Sequence, residues 1–323
     1  TFVTMSYIIF VNPGILSEAG MPFGALFVAT CLGSALGCFM MAFYANYPFA
    51  LAPGMGLNAF FAYSVVLGMG IPWQVAFAAI FVEGVIFILL TFTNIRESVI
   101  NSIPKSLKIG ISAGIGMFIT FIGLQNAGII VDNPSVLLGL ASFRNSPPAL
   151  LAIIGLLLMI TLETRRVKGG ILLGIVIITI IGIPFGITKL PDGFMSMPPS
   201  ISPIFCKMDF SMIMSVPFWV VVLTFFFVDF FDTIGTLVGV ASRANMLDKE
   251  GRLPNASRAL MADAVATTVG AALGTSTVTT YVESASGVEQ GGRTGLTALT
   301  VAVLFLFAMF FSPLISIVPA CAT

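Results

Sequence analysis

Apolar residues run along this chain in blocks of about 17–25, the length a helix needs to cross the hydrocarbon core of a bilayer. Short polar stretches separate them. The blocks fall at about residues 1–17, 22–45, 48–69, 72–93, 106–128, 148–163, 169–187, 216–241, 257–273, 275–290 and 294–313, which predicts eleven spans. Two of them carry turn chemistry where a lipid-facing helix would not. YPFALAPGMGLNAFFAYSVVLG, from Tyr47, holds Pro48 and Pro53, which cannot donate backbone hydrogen bonds and bias their predecessors towards extended geometry. FALA therefore predicts a short strand, Pro53-Gly54 opens a half-helix, Gly56 allows close backbone approach, and Asn58 faces inward. Free amides at that helix start favour an electronegative ligand atom. LGTSTVTTYVESASGVEQGG, from Leu273, is β-branched and polar over TSTVTTYV, which predicts a second strand, with Glu283 at the start of the next half-helix. Irregular backbone at membrane depth is tolerated only where protein or a water-filled cavity covers it. The two broken runs are therefore expected to cross near the midplane and bring Asn58 and Glu283 together.

Composition agrees. The 323 residues are 58% hydrophobic and only 9% charged, with a mean hydropathy of +1.07, against about 25% charged in soluble domains. The expected class is an all-α, multi-pass membrane protein with the lipid bilayer as its surroundings. A net charge of zero gives no electrostatic case for nucleic acid. Cys31, Cys38, Cys206 and Cys321 have no paired spacing, and there is no histidine, so no metal site or cofactor is expected and proton chemistry falls to carboxylates. Nothing resembles a P-loop, so ATP is not the expected energy source. The missing initiator methionine and the abrupt end after FSPLISIVPACAT suggest a fragment of a longer protein.

Cation placement orients the chain. With the N-terminus cytoplasmic, the inner loops hold Arg96, Lys105, Lys108, Arg165, Arg166, Lys168, Arg243, Lys249, Arg252, Arg258 and Arg293, and the outer loops only Arg144, Lys189 and Lys207. Eleven against three obeys the positive-inside bias. The longest connection, 188–215, includes KLPDGFMSMPPSISPIF and reads as an external linker. It separates a first half, 1–187, with seven spans from a second, 216–323. An odd number of spans inverts the following repeat, which predicts an inverted-repeat transporter and three further spans beyond Thr323.

Buried acids carry the chemistry. FFFVDFFDTIGTLVG sets Asp229 and Asp232 near the middle of one run, where each carboxylate costs about 2.5–3.5 kcal/mol to insert. Three residues apart, they share roughly one helix face. Structural alternatives stand beside the functional reading: either aspartate could cap a kink, Asn58 could join helices, and the threonine run could bond its own backbone. Glu83 and Asp263 read as structural. Phe225, Phe226, Phe227, Phe230 and Phe231 read mostly as packing.

NPGIL, ALAPGMGLNAFF, VDFFDTIGTLVGVA and TSTVTTYVESASGV with GGRTGLTAL resemble the AzgA-like purine permeases of the nucleobase–ascorbate transporter family, over nearly the whole chain from Thr4. The resemblance implies fourteen spans as two inverted repeats of seven, a core and a gate domain, and a nucleobase held between short strands in spans three and ten. It implies a cell-membrane location and import of guanine, hypoxanthine or adenine, with a proton as the coupled partner. Asn58 matches the polar residue of span three, Asp229 and Asp232 the acids of span eight, and Glu283 the acid of span ten. The wider family commonly has glutamate where Asp232 falls and histidine where Thr236 falls, so the proton-coupling residue departs from the pattern here.

A carboxylate accepts from purine N–H groups, and an amide donates and accepts. Glu283 and Asp229 are therefore expected to contact the purine, with Gly56 and Asn58 completing the site and Tyr281 packing on the ring or in the core. Burial disfavours a carboxylate's charged form, which makes Asp232, with Glu283, the candidate for binding and releasing a proton. A homodimer is compatible with this reading. A xanthine or uracil carrier is the nearest alternative. Anion exchange lacks a central cation, a channel lacks a ring of pore acids, and an intramembrane aspartyl protease would need aspartates on different helices and a GxGD motif.

Overall fold

A chain in hydrocarbon has to satisfy its backbone N–H and C=O groups internally, and each apolar run accordingly becomes a helix or a strand followed by a helix. The computed structural model describes residues 1–92, 105–133, 137–141, 146–165, 167, 169–188, 193–247 and 253–322. The first run gives α1 (Phe2–Met5) and α2 (Ile8–Ser17), the second α3 (Phe23–Met40), which widens into π turns over Met41–Ala45. The third gives β1 (Leu51–Pro53) and α4 (Met55–Ala59), continued by π turns over Phe60–Gly68. There follow α5 (Trp73–Phe92), α6 (Lys105–Asn126), β2 (Ile130–Asn133), β3 (Leu137–Leu140), α7 (Pro147–Thr164) and α8 (Gly170–Gly182). The second half gives α9 (Val216–Arg243), α10 (Ala256–Leu273), β4 (Val278–Thr280), α11 (Ser284–Glu289), α12 (Gly295–Ala308) and α13 (Ser312–Ile315).

Among the described residues, five helices are long and apolar enough to cross a membrane, Phe23–Ala45, Trp73–Thr91, Pro147–Thr164, Val216–Ser242 and Gly295–Ile315. Their outward faces carry large apolar side chains, such as Leu157 at 59% exposure and Phe307 at 60%, a surface suited to lipid. The pairing of β2 with β3, Ile130 opposite Leu140, was not expected. No alternation of polar and apolar residues marks that stretch, which lies in the connection between the spans expected at 106–128 and 148–163. Of the cations used to orient the chain, Arg96, Arg144, Arg166, Lys168, Lys189, Lys249 and Arg252 lie outside the described residues.

The two halves of the chain interleave. α3 packs on α2, α10 and α12, and α5 packs on α10 and α9, so one body draws on both halves. α7 and α8 pack on each other at its side. Residues 193–215 run as turns and extended chain, tied to both halves by Asp209 N–H to Gln74 C=O (3.1 Å) and Cys206 N–H to Ala272 C=O (2.8 Å).

β1 and β4 lie against α3 at Gly37. A Cβ there would stand 3.0 Å from Leu51 Cβ, 3.1 Å from Ala266 Cβ and 3.3 Å from Val278 Cγ1. Overpacking of this kind costs about 1–3 kcal/mol. Gly37→Leu is expected to lower the melting temperature in detergent and to weaken ligand binding. Gly239→Ala, where a Cβ meets nothing within 4 Å, is expected to do neither; equal melting of wild type and Gly37→Leu would refute the packing argument.

Candidate functional site

β1 and β4 pair antiparallel, Leu51 opposite Thr280, Ala52 opposite Thr279 and Pro53 opposite Val278. Gly54 N–H donates to Thr277 C=O at 3.0 Å and Tyr281 N–H to Ala50 C=O at 2.9 Å. A ribbon this short is marginal by itself, and the side chains of TSTVTT supply what the ladder cannot. Asn12 Nδ2 of α2 donates to Thr275 Oγ1 at 3.0 Å and to Thr30 Oγ1 of α3 at 2.7 Å. Ser276 Oγ donates to Asn58 Oδ1 of α4, and Thr277 Oγ1 to Glu83 Oε2 of α5 at 3.4 Å. Thr267 Oγ1 of α10 donates to Val278 C=O at 2.9 Å. Successive residues thus engage different helices. On the other strand, Ala50 N–H donates to Ser284 Oγ at 2.9 Å and Leu51 N–H to Cys38 Sγ at 3.2 Å. Buried polar groups are costly unless paired, so a slip of one residue would break these bonds together. The polar run is a register lock.

Thr279 Oγ1 lies 2.8 Å from Thr233 Oγ1 on α9, and Thr233 donates to Asp263 Oδ2 at 3.1 Å, with Asp229 Oδ1 at 3.4 Å. A hydroxyl has one proton. The shorter carboxylate contact takes it, which makes Thr279 the donor to Thr233 and gives the chain Thr279 to Thr233 to Asp263.

A cavity of about 170 Å³ opens where the two broken runs meet. Its walls are Gly54–Leu57 at the start of α4, Val228, Asp232 and Thr236 of α9, Thr279–Glu283 at the end of β4, Tyr7 between α1 and α2, and Ile119 of α6. The first bond of α4 runs from Asn58 N–H to Gly54 C=O at 2.9 Å, so the Met55, Gly56 and Leu57 amides lie ahead of it at the cavity wall. Gly54 is required by space: a Cβ would stand 2.8 Å from Thr279 Cγ2 and 3.7 Å from Asp232 Oδ2. Tyr7 Oη donates to Glu283 Oε1 at 2.5 Å, and Tyr281 Oη to Pro53 C=O at 2.5 Å. Thr280 is 2% exposed and lines the cavity, and among the described residues its Oγ1 has no partner. The site thus offers carboxyl acceptors, backbone donors and one hydroxyl able to do either.

Of the residues singled out in the sequence, Gly56, Asp232, Tyr281 and Glu283 line this cavity. Asn58 does not line it; it is fully buried, receives the Ser276 hydroxyl and anchors the strand. Asp229 is fully buried in the polar group with Thr233 and Asp263. Glu83 and Asp263 accept structural hydrogen bonds, as expected. The phenylalanines of α9 pack: Phe87 stacks on Phe226 at 4.6 Å, and Phe225 meets Phe60 edge-on at 5.1 Å. Tyr7, Thr279 and Thr280 were not anticipated as wall residues. Tyr7 had a signal, a polar tip in the run that carries NPGIL, but nothing in the sequence aims it at Glu283.

The interleaved apolar helices and a polar cavity at a strand crossing define a polytopic membrane transporter. The chain belongs to the Permease family, whose model (Xan_ur_permease) matches residues 1–323. It is 48% identical over 334 residues to the guanine/hypoxanthine permease PbuG of Bacillus subtilis, covering all of this chain and 76% of that one. It is 45% identical over 322 residues to the adenine permease AdeP of Escherichia coli, covering all of this chain and 72% of that one. In fold it is similar to the transmembrane domain of the cyanobacterial bicarbonate transporter BicA, with a TM-score of 0.68 at 18% identity over 99% of this chain and 84% of that one. The resemblance read from the four motifs is borne out. A permease is a transporter, and the protease alternative falls with that.

Proposed function

We propose that this protein imports purine nucleobases, guanine or hypoxanthine and adenine, by proton symport across the cell membrane. The observation that carries the proposal is the cavity in which Asp232, Glu283, the first amides of α4 and the Thr280 hydroxyl converge. A purine presents ring N–H and exocyclic amino donors beside ring-nitrogen and carbonyl acceptors, and this set answers both kinds. The volume suits a small ligand, below the roughly 300–1,000 Å³ of sites for drug-sized molecules. Relatives named for guanine, hypoxanthine and adenine support the purine class. Glu283 and Asp232 are the carboxyls at the ligand, and Asp232 is the group that takes up and releases the coupled proton. Asp229 stands behind the cavity wall, 3.4 Å from Thr233.

The full architecture proposed is two inverted repeats of seven spans, with 1–187 as the first, 188–215 as the external linker and 216–323 as part of the second. The antiparallel meeting of β1 and β4, each followed by a half-helix, supports it. The N-terminus is cytoplasmic in this reading.

The test is uptake of labelled hypoxanthine by the full protein in liposomes under an imposed proton gradient. Accumulation is expected, with competition by guanine and adenine and much weaker competition by uracil and xanthine. Uptake that ignores the gradient would remove the symport reading. Competition by uracil or xanthine alone would move the protein to the other nucleobase class.

A further inference from the structure

The first apolar run is helical over Phe2–Ser17, with a loosened turn at Ser6 and Tyr7 between α1 and α2. Tyr7 sits at this turn with 4% of its surface exposed, and its Oη donates to Glu283 Oε1 at 2.5 Å. Thr4 Oγ1, which donates to the Thr1 C=O at 2.7 Å, lies 3.0 Å from Ser286 Oγ, and Ser286 Oγ donates to the Glu283 C=O at 2.8 Å. At the other end of β4, Asn12 holds Thr275 at 3.0 Å. The first run thus clasps the strand and half-helix that carry Glu283 at both ends, and one of its bonds ends on the carboxyl itself.

We propose that Tyr7 is a positioning residue for Glu283, filling one carboxyl oxygen so that the other is presented to the ligand in a single orientation. A phenol gives the carboxylate a donor, and Oε1, once occupied, holds the carboxyl plane by a bond from outside its own helix. Oε2 is then the oxygen left for the ligand. A free glutamate at a cavity wall would sample several rotamers and would have to lose that freedom on each binding event; a carboxyl fixed beforehand does not. Tyr7 therefore strengthens binding without being the group the purine recognises. The inference rests on the reading of Glu283 as a purine contact.

The experiment is a double-mutant cycle on the full protein, with binding and uptake of labelled hypoxanthine measured for wild type, Tyr7→Phe, Glu283→Gln and the double variant. Tyr7→Phe is expected to raise Kd and KM about tenfold, the size of one hydrogen bond to a charged group, with the maximal uptake rate little changed. In the Glu283→Gln background the same change is expected to add less than about twofold, because residues that act as a unit are not additive. An unchanged Kd for Tyr7→Phe, or equal effects in both backgrounds, overturns the proposal and leaves the purine site standing. Wild-type binding by Glu283→Gln instead overturns the reading on which it rests. If Tyr7→Phe does not fold, Tyr7→Met, which also removes the donor, takes its place in the cycle: coupling to Glu283 supports the proposal, and additivity overturns it.

Discussion

Asp232→Asn is expected to abolish accumulation of labelled hypoxanthine against a gradient while leaving exchange of internal for external purine measurable. An asparagine keeps the size and part of the hydrogen bonding of the aspartate but can neither gain nor lose the proton. An empty carrier holding a buried charge reorients at a different cost from a neutral one, because an isolated charge in an apolar interior is heavily penalised. Removing the titration uncouples that step from the gradient. Glu283→Gln is expected to fail differently, in affinity: loss of a hydrogen bond to a charged group costs about 1.5–3 kcal/mol, or roughly 10–150-fold in Kd. Counterflow in liposomes with and without an imposed gradient separates the two variants. Gradient-driven accumulation by Asp232→Asn at the wild-type level would remove Asp232 from the coupling role.

The second large effect is structural. Thr233 is fully buried and bridges Thr279 at 2.8 Å to Asp263 at 3.1 Å. Thr233→Val keeps the shape and removes the hydroxyl, so a buried acceptor loses its donor and a buried donor its acceptor. Each such loss costs about 1–3 kcal/mol, more for a charged group. The variant is expected to melt well below the wild type in detergent and to bind purine weakly, since Thr279 lines the cavity. Thr233→Ser, which restores the hydroxyl, is expected to recover most of the loss. If valine melts with the wild type, the hydrogen-bond chain behind the cavity is not what holds β4 in place.

Much of this molecule is legible in one dimension, for a physical reason. Lipid offers no hydrogen bonds, so a spanning segment has to be apolar and self-satisfied over its length, and Val216–Arg243 or Trp73–Phe92 is visible as an uninterrupted run. The same constraint makes exceptions conspicuous. Pro53-Gly54 and TSTVTT match lipid-facing helices poorly, and both fall at the crossing of β1 and β4. The hairpin of β2 and β3 carried no such mark and was not read.

Residue order alone marked the class of the protein, the two places where backbone irregularity sits, and a set of inward polar groups, Asn58, Asp229, Asp232 and Glu283, without separating their roles as the cavity does. How those polar groups divide came from the packing of the helices. Asp229 and Asp232 are three residues apart, about 60° around the axis on an ideal helix. That angle turns Asp232 to the cavity and Asp229 to Thr233, which itself meets Asp263. Asn58 went to Ser276 and Tyr7 to Glu283, partners 218 and 276 residues away. Periodicity states which face of a helix a residue occupies. Which neighbour that face meets is set by close packing of helices from both halves, and no local pattern encodes it.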